Sequence, residues 1–194
     1  MPLINFGNTP VGVASGSVYL NPGGTSTIAA GSLPGLAMPP IFSIEWNEET
    51  VSTETIGNNA VQSVIAVPTK ATMKITVDAK LIPEFYALIR GNTLTITGTT
   101  PTRTTRQATV AGKFAPVIAM DIYALAFDGG DLHYGFYNGV VTKFPKRKSE
   151  AYKPGTKVDI EVQVFACTTD GTLVIDAGHE APTANDPTAQ PKLP

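Results

Sequence analysis

Cysteine is all but missing from this chain: Cys167 stands alone among 194 residues, which excludes an internal disulfide framework. A chain without crosslinks suits a reducing compartment, or a particle assembled in one. Histidine is nearly as scarce, with only His133 and His179. Two isolated imidazoles and one thiol cannot make a structural zinc site of the usual nitrogen and sulfur type. Charge is scarce as well: Asp, Glu, Lys and Arg make up 15% of the chain, against roughly 25% in an average soluble domain. A net charge of −2 with a pI of about 5.6 argues against a general nucleic-acid binder, which would be basic. No apolar run approaches the roughly 20 residues of a membrane helix. The N-terminal stretch MPLINFGNTPVG has neither the basic start nor the continuous apolar segment of a secretory signal. A soluble protein with no obvious export route is expected.

Catalytic signatures are missing too. The sequence holds no G-x-S-x-G, no phosphate-binding G-x-x-x-x-G-K-[ST], no G-x-G-x-x-G and no H-E-x-x-H. Glu48 and Glu49 are adjacent, so on a strand they point to opposite faces and make no acid–base pair. Cys167 follows an apolar strand and reads as a buried, inert thiol. His133, beside Tyr134, reads as a packed or hydrogen-bonded residue. Asp128 and Asp131 flank two glycines and read as turn residues, since the D-x-[DN]-x-[DN]-G spacing of a calcium loop is lacking. No enzymatic activity, cofactor or metal is expected.

What the chain does have is apolar residues, at 42%, enough to bury a core without metals or crosslinks. A surface so poor in charge stays wet through Thr and Ser hydroxyls or is covered by a partner. Residues 1–40 are dense in Gly and Pro, which argues for an irregular arm. That arm still carries Leu3, Ile4, Phe6, Val11, Val13, Val18, Tyr19 and Leu20, so it needs a surface to lie on, on this chain or on a neighbour. Residues 41–178 form the expected body. Met73, Ile75, Val77 and Ala79 alternate with Lys74, Thr76, Asp78 and Lys80; Val158, Ile160, Val162 and Val164 alternate with Lys157, Asp159, Glu161 and Gln163. Both are the period-two pattern of half-buried strands. Further strands are expected at 41–47, 62–67, 93–97, 107–110, 122–127, 133–144 and 172–176, with Phe42, Ile44 and Trp46 directed to the core. Hairpin turns are expected at Asp128–Asp131 and at Thr169-Asp170-Gly171.

One segment has a helical period. Ile82, Phe85, Tyr86 and Ile89 share a face, Pro83 and Glu84 suit a first turn, and Gly91-Asn92 suits a stop. The expected fold is therefore mainly β, an antiparallel sandwich or split barrel with one short helix and an extended N-terminal arm. Residues 179–194, rich in Pro and short of apolar residues, read as a flexible tail.

Charges are grouped along the chain. Glu45, Glu48, Glu49 and Glu54 precede any base before Lys70, whereas Lys143, Lys146, Arg147, Lys148, Lys153 and Lys157 cluster around Glu150. Opposed runs of this kind suit complementary subunit faces, with Lys146, Arg147 and Lys148 on one copy meeting Glu48, Glu49 or Glu54 on another.

The segments IPEFYALIRG (82–91) and YKPGTKVDIEVQVFACTTDGTLVIDAG (152–178), with the β-helix-β layout of residues 41–178, resemble the tail tube proteins of tailed bacteriophages. That resemblance implies a structural subunit of the virion tail, assembled in the host cytoplasm. It implies stacked hexameric rings whose lumen conducts the genome, with a tape measure protein, a tail terminator and baseplate or tip proteins as partners. DNA would pass without specific binding and no membrane would be involved. On this reading Asp159, Glu161 and Gln163 are the candidate lumen wall. An alternative of another class is a virion decoration or carbohydrate-binding β-sandwich, for which Tyr134, Phe136 and Tyr137 are the candidate aromatic cluster.

Overall fold

A computed structural model describes residues 10–28, 35–57, 60–78, 83–99, 102–126, 131–145 and 156–179. The fold is mainly β, antiparallel and sandwich-like, with one helix. Its strands are β1 (Pro10–Leu20), β2 (Leu36–Ala37), β3 (Ile41–Gly57), β4 (Ala60–Asp78), β5 (Leu94–Thr97), β6 (Thr104–Gln107), β7 (Val117–Ala126), β8 (Asp131–Lys143), β9 (Lys157–Phe165) and β10 (Ile175–His179); helix α1 is Pro83–Arg90. The main sheet runs β2-β1-β7-β8-β9-β4-β3, with β10 also on β8, and β5 and β6 form a separate pair.

β2 and β3 lie at opposite ends of that order, yet only Met38–Pro40 separates them in sequence. The sheet must therefore curl until its ends meet. The linker stitches them: the Met38 N–H donates to the Gly16 carbonyl at 2.8 Å, and the Asp78 N–H donates to the Pro40 carbonyl at 2.9 Å. The closure is local, so the sheet is a curled sandwich rather than a closed barrel. Gly16 permits it, because a Cβ there would lie 2.9 Å from both Ile41 Cδ1 and Met38 Sδ.

The inner faces of the two halves make one core. Val18, Ile118, Met120, Ile122 and Phe136 come from β1, β7 and β8; Met73, Ile75, Val77, Ile160, Val162 and Val164 come from β4 and β9. Phe85 and Ile89 of α1 complete it. The helix stops where expected: the Asn92 N–H bonds to the Ala87 carbonyl and the Gly91 N–H to that of Leu88, with Gly91 at φ 63°. This is the left-handed glycine cap of a Schellman motif.

Four expectations need correction. The arm 1–40 is not irregular throughout: Pro10–Leu20 is an eleven-residue strand, paired with β7 from Pro10↔Ala126 to Leu20↔Ile118. Tertiary pairing outweighs the local cost of Gly12 and Gly16 there. Residues 1–9 and 29–34 lie outside the described residues.

The turn at Thr169-Asp170-Gly171 exists, with Gly171 at φ 78° and its N–H on the Cys167 carbonyl. The strands on either side of it do not pair with each other. β9 pairs with the C-terminal half of β8 and β10 with its N-terminal half, so the two form one interrupted line along β8. The excursion between them, 166–174, covers the outer face of β7 and β8. There Cys167 and Ile175 bury Tyr19, Ala119 and Tyr137 together with Ile28. Asn21 fixes the turn after β1 to the sheet, donating from Nδ2 to the carbonyls of Tyr137 at 2.7 Å and Thr25 at 2.8 Å, and the lid is held to that turn by the Thr168 N–H on the Gly24 carbonyl at 2.8 Å.

Phe42 and Trp46 are not core residues. The register slips between Ile41 and Ser43, and this bulge turns Phe42 outward beneath the Lys157 ammonium, 5.0 Å from its ring centre. Trp46 keeps the inward parity but sits where the core ends, 37% exposed against Tyr134. Finally, two expected strands are displaced: 107–110 lies at Thr104–Gln107 and 172–176 at Ile175–His179. The turn Asp128–Asp131 is centred on residues outside the described ones, as are Lys146, Arg147, Lys148 and the tail from 180 onward.

Candidate assembly surface

Alternation on β3, β4, β9 and the C-terminal end of β8 puts apolar side chains inward and leaves one continuous strand face to solvent. Register then decides which polar side chains meet. Glu45 lies opposite Lys74, Lys74 opposite Glu161, and Glu161 opposite Lys143, so one row across four strands reads acid, base, acid, base. The next row on one side carries Thr76 with Asp159; on the other side Asn47, Thr72 and Gln163 come first and Glu49 with Lys70 after them.

The candidate wall residues Asp159, Glu161 and Gln163 all lie on this face, half-buried among their neighbours. Asp159 accepts from Thr76 Oγ1 at 2.9 Å and pairs with Lys74 Nζ at 3.3 Å. The Thr76 hydrogen bond first, and Lys74 after it, hold its carboxyl below the usual aspartate range. Glu161 pairs with Lys143, and that hydrogen bond raises the lysine above its ordinary value. Glu49 pairs with Lys70 at 2.9 Å. Sequence reading singled out these acids but not their lysines. The alternation did put Lys74 on a polar face, but which acid it would meet depends on strand order.

The second feature is the far end of the β3–β4 hairpin. β9 covers β4 only from Lys70 to Asp78. Beyond that, Thr50–Gly57 pairs with Ala60–Pro68 and, among the described residues, with no third strand. Eight residues of strand span about 26 Å at about 3.3 Å each. Val51 and Val67 face each other across this extension, 59% and 52% exposed. Of the expected contact acids, Glu48 and Glu49 are exposed at its base and Glu54 lies within it on β3. Their expected partners, Lys146, Arg147 and Lys148, fall outside the described residues.

The third feature is the unit formed by α1, β5 and β6. Its apolar residues Ile96, Val110 and Phe114 are 48%, 58% and 91% exposed. Glu84 pairs with Arg103 at 3.1 Å, and the Arg90 guanidinium lies over the rings of Phe144 and Tyr86.

The aromatic cluster of the alternative reading does not form one surface. Phe136 is fully buried in the main core, and Tyr137 is buried on the opposite side of the sheet under the 166–174 lid. Tyr134 packs beside Trp46 with ring centres 5.2 Å apart, its hydroxyl pKa raised by burial and by Asp176. His133 Nδ1 lies 3.1 Å from Asp121 Oδ1 with its ring against the edge of Tyr123. Among the described residues no three His, Cys, Asp or Glu side chains are grouped to hold a metal, and no helix is long and apolar enough to cross a membrane.

No family model matches the chain, and no curated protein matches it either.

Proposed function

We propose that the chain is a structural subunit of a phage tail tube, a virion component that forms stacked hexameric rings around a lumen for the genome. The observation that carries this reading is the β3–β4 hairpin, which runs past every strand of the described residues that could support it. A two-stranded ribbon is marginal in water by itself, and its open edge presents unpaired N–H and C=O groups. Exposed Val51 and Val67 add apolar surface that only a partner would cover. Supplying that partner from a second copy removes both liabilities, and a repeated head-to-tail contact generates rings and stacks.

On this reading the polar face of β3, β4, β9 and β8 is the lumen wall, with Asp159, Glu161 and Gln163 among its residues. Its chemistry suits passage of a polyanion. Free lysines would neutralise phosphates and release counterions, adding affinity with each contact. Here Lys70, Lys74 and Lys143 are each already held by a carboxylate. DNA would slide past such a wall rather than bind it. A tape measure protein would fill the lumen before the genome does, and terminator and baseplate or tip proteins would close the ends. The test is negative-stain microscopy with light scattering on the purified protein at rising concentration. Rings or tubes with a central channel are expected; a chain that stays monomeric at every concentration, with and without tail initiation partners, removes the reading.

A further inference from the structure

Alternation also decides what stands at the open end of the sandwich interior. Trp46 and Glu48 share the inward face of β3, opposite buried Met73 and Ala71 of β4. Tyr134 shares the inward face of β8 with Phe136, and β10 puts Asp176 directly opposite it. The rings of Trp46 and Tyr134 meet across the sandwich with centres 5.2 Å apart. Glu48 stands two residues further along β3 on the same face, about 7 Å from Trp46. Two carboxylates thus flank an aromatic pair at the point where the core ends. Trp46, Glu48 and Asp176 are exposed, and neither carboxylate has a partner among the described residues. The strands that carry them offer no base: β3 and β10 hold no Lys or Arg, and β8 holds only Lys143, which Glu161 takes on the opposite face. A site of this composition takes a cation, drawn to the carboxylates by charge and to the ring faces by their quadrupole.

The chain carries such a cation on the loop between β6 and β7. From Gly91 to Pro116 there are three bases, Arg103, Arg106 and Lys113, and no acid. Arg103 is held by Glu84. Lys113 is exposed beside Phe114, which at 91% is the most exposed large apolar side chain of the described residues. Gly112 turns the loop at φ 77°, and a Cβ placed there would meet nothing within 4 Å, so the tip stands clear of its own chain. We propose that the Lys113–Phe114 tip of one copy docks at the Trp46–Tyr134 pair of a second copy, with the Lys113 ammonium between Glu48 and Asp176 and the Phe114 ring on the exposed side of Trp46. The proposal rests on the self-assembly reading above and names one of its contacts. A second copy fits better than a free cation, because the same tip brings an aromatic ring that covers Trp46 as well as a charge that answers the carboxylates. Each copy holds both site and tip, so the contact is head-to-tail and repeats from copy to copy.

Trp46 is the only tryptophan, so its fluorescence reports on this site alone. Acrylamide quenching of the full chain is followed from dilute to concentrated protein, with sedimentation velocity alongside. Quenching should fall as the chain associates. Lys113→Glu with Phe114→Ala should raise the concentration that protects Trp46 about ten- to a hundred-fold, and Glu48→Lys with Asp176→Lys should do the same. The chain carrying Lys113→Glu, Glu48→Lys and Asp176→Lys, with Phe114 kept, should recover protection. The substituted side chains are all exposed, and thermal unfolding checks that each variant folds. If Trp46 is as open to acrylamide in the associated chain as in the monomer, the docking is wrong while the assembly reading stands. Protection that survives Lys113→Glu with Phe114→Ala would give the site to another segment of the neighbouring copy and overturn the docking equally. So would a charge-exchanged chain no better protected than Glu48→Lys with Asp176→Lys. If the unaltered chain never associates, both readings fall.

Discussion

The β1–β7–β8 half of the sheet and the far end of the β3–β4 hairpin are both rich in β-branched and small residues, and both are antiparallel ribbons. Their surroundings differ completely. Around Met120 and Phe136 the strands are covered on one face by the main core and on the other by the Asn21–Ile28 and 166–174 segments. Around Val51 and Val67 the described residues cover neither face, and none of them pairs with the outer edge of β3. The comparison teaches that strand propensity does not decide where stability lies. The number of covered faces and edges does.

The sharpest way to break the comparison is to truncate one residue in each region. Phe136→Ala removes a fully buried ring and should cost about 3–5 kcal/mol, enough to threaten folding outright. Val51→Ala should change the stability of the monomer by no more than about 0.5 kcal/mol while weakening self-association. Urea unfolding of dilute protein measures the first effect and sedimentation at high concentration the second. Similar losses of monomer stability in both variants would mean that the hairpin is supported within its own chain.

The covered half can be taken apart one face at a time, because its lid is a separate small core. Tyr137 lies under the lid, and burial, with Asp170, Cys167 and Asp121 after it, pushes its hydroxyl pKa up to about 12. A pKa raised on folding contributes stability that is complete below pH 10, the unfolded value, and is lost as the pH rises toward 12. Alkaline unfolding should therefore expose Tyr137, and Tyr137→Phe should remove one tyrosine's share of the late tyrosinate absorbance near pH 12 while the ionisation of the other five tyrosines remains. Asn21→Ala removes the buried hydrogen bond to the Tyr137 carbonyl and should cost about 1–3 kcal/mol. It should also speed thiol labelling of Cys167, the lid residue buried in the same small core as Tyr137. Unchanged labelling would show that the lid does not depend on Asn21.

The same contrast explains how much could be read from the sequence. The helix was legible nearly to the residue, since Pro83, the apolar spacing of Phe85 and Ile89 and the Gly91 cap are all local signals. So were the alternating stretches of β4 and β9 and the antiparallel, mainly β class. β1 was not, because Gly12 and Gly16 weigh against a strand locally; pairing with β7 overrides both, and the close approach of Met38 and Ile41 explains Gly16. Phe42 was misassigned for a different reason: one bulged residue reverses the facing of everything on its side of the slip. The polar face was half legible. Asp159 and Glu161 stood out, but their pairing with Lys74 and Lys143 follows from strand order, which no single stretch of sequence contains. The unit around Phe114 did leave a signal, four bases with one acid over Pro83–Pro116, and it went unread beside the denser run at 143–157.

The smallest expected effect lies on the polar strand face, which is intermediate between the two regions: one side on the core, the other in water. Asp159 is held ionised by Thr76 and Lys74, so its folded pKa lies below that of an ordinary aspartate. A carboxyl depressed on folding contributes stability that is present above the unfolded pKa and lost as pH falls through the folded one. Its side chain is 39% exposed and that of Lys74 41%, so solvent screens the pair and its worth should not exceed about 1 kcal/mol. Asp159→Asn should therefore leave unfolding at pH 2 unchanged and lower stability slightly at pH 7, with the gap narrowing as salt is added. Comparing urea midpoints of the two proteins at pH 2 and pH 7 checks this. A gap larger at pH 2 than at pH 7 would have the wrong sign for a stabilised carboxylate, and the row of paired charges would then be no more than side chains sharing a face.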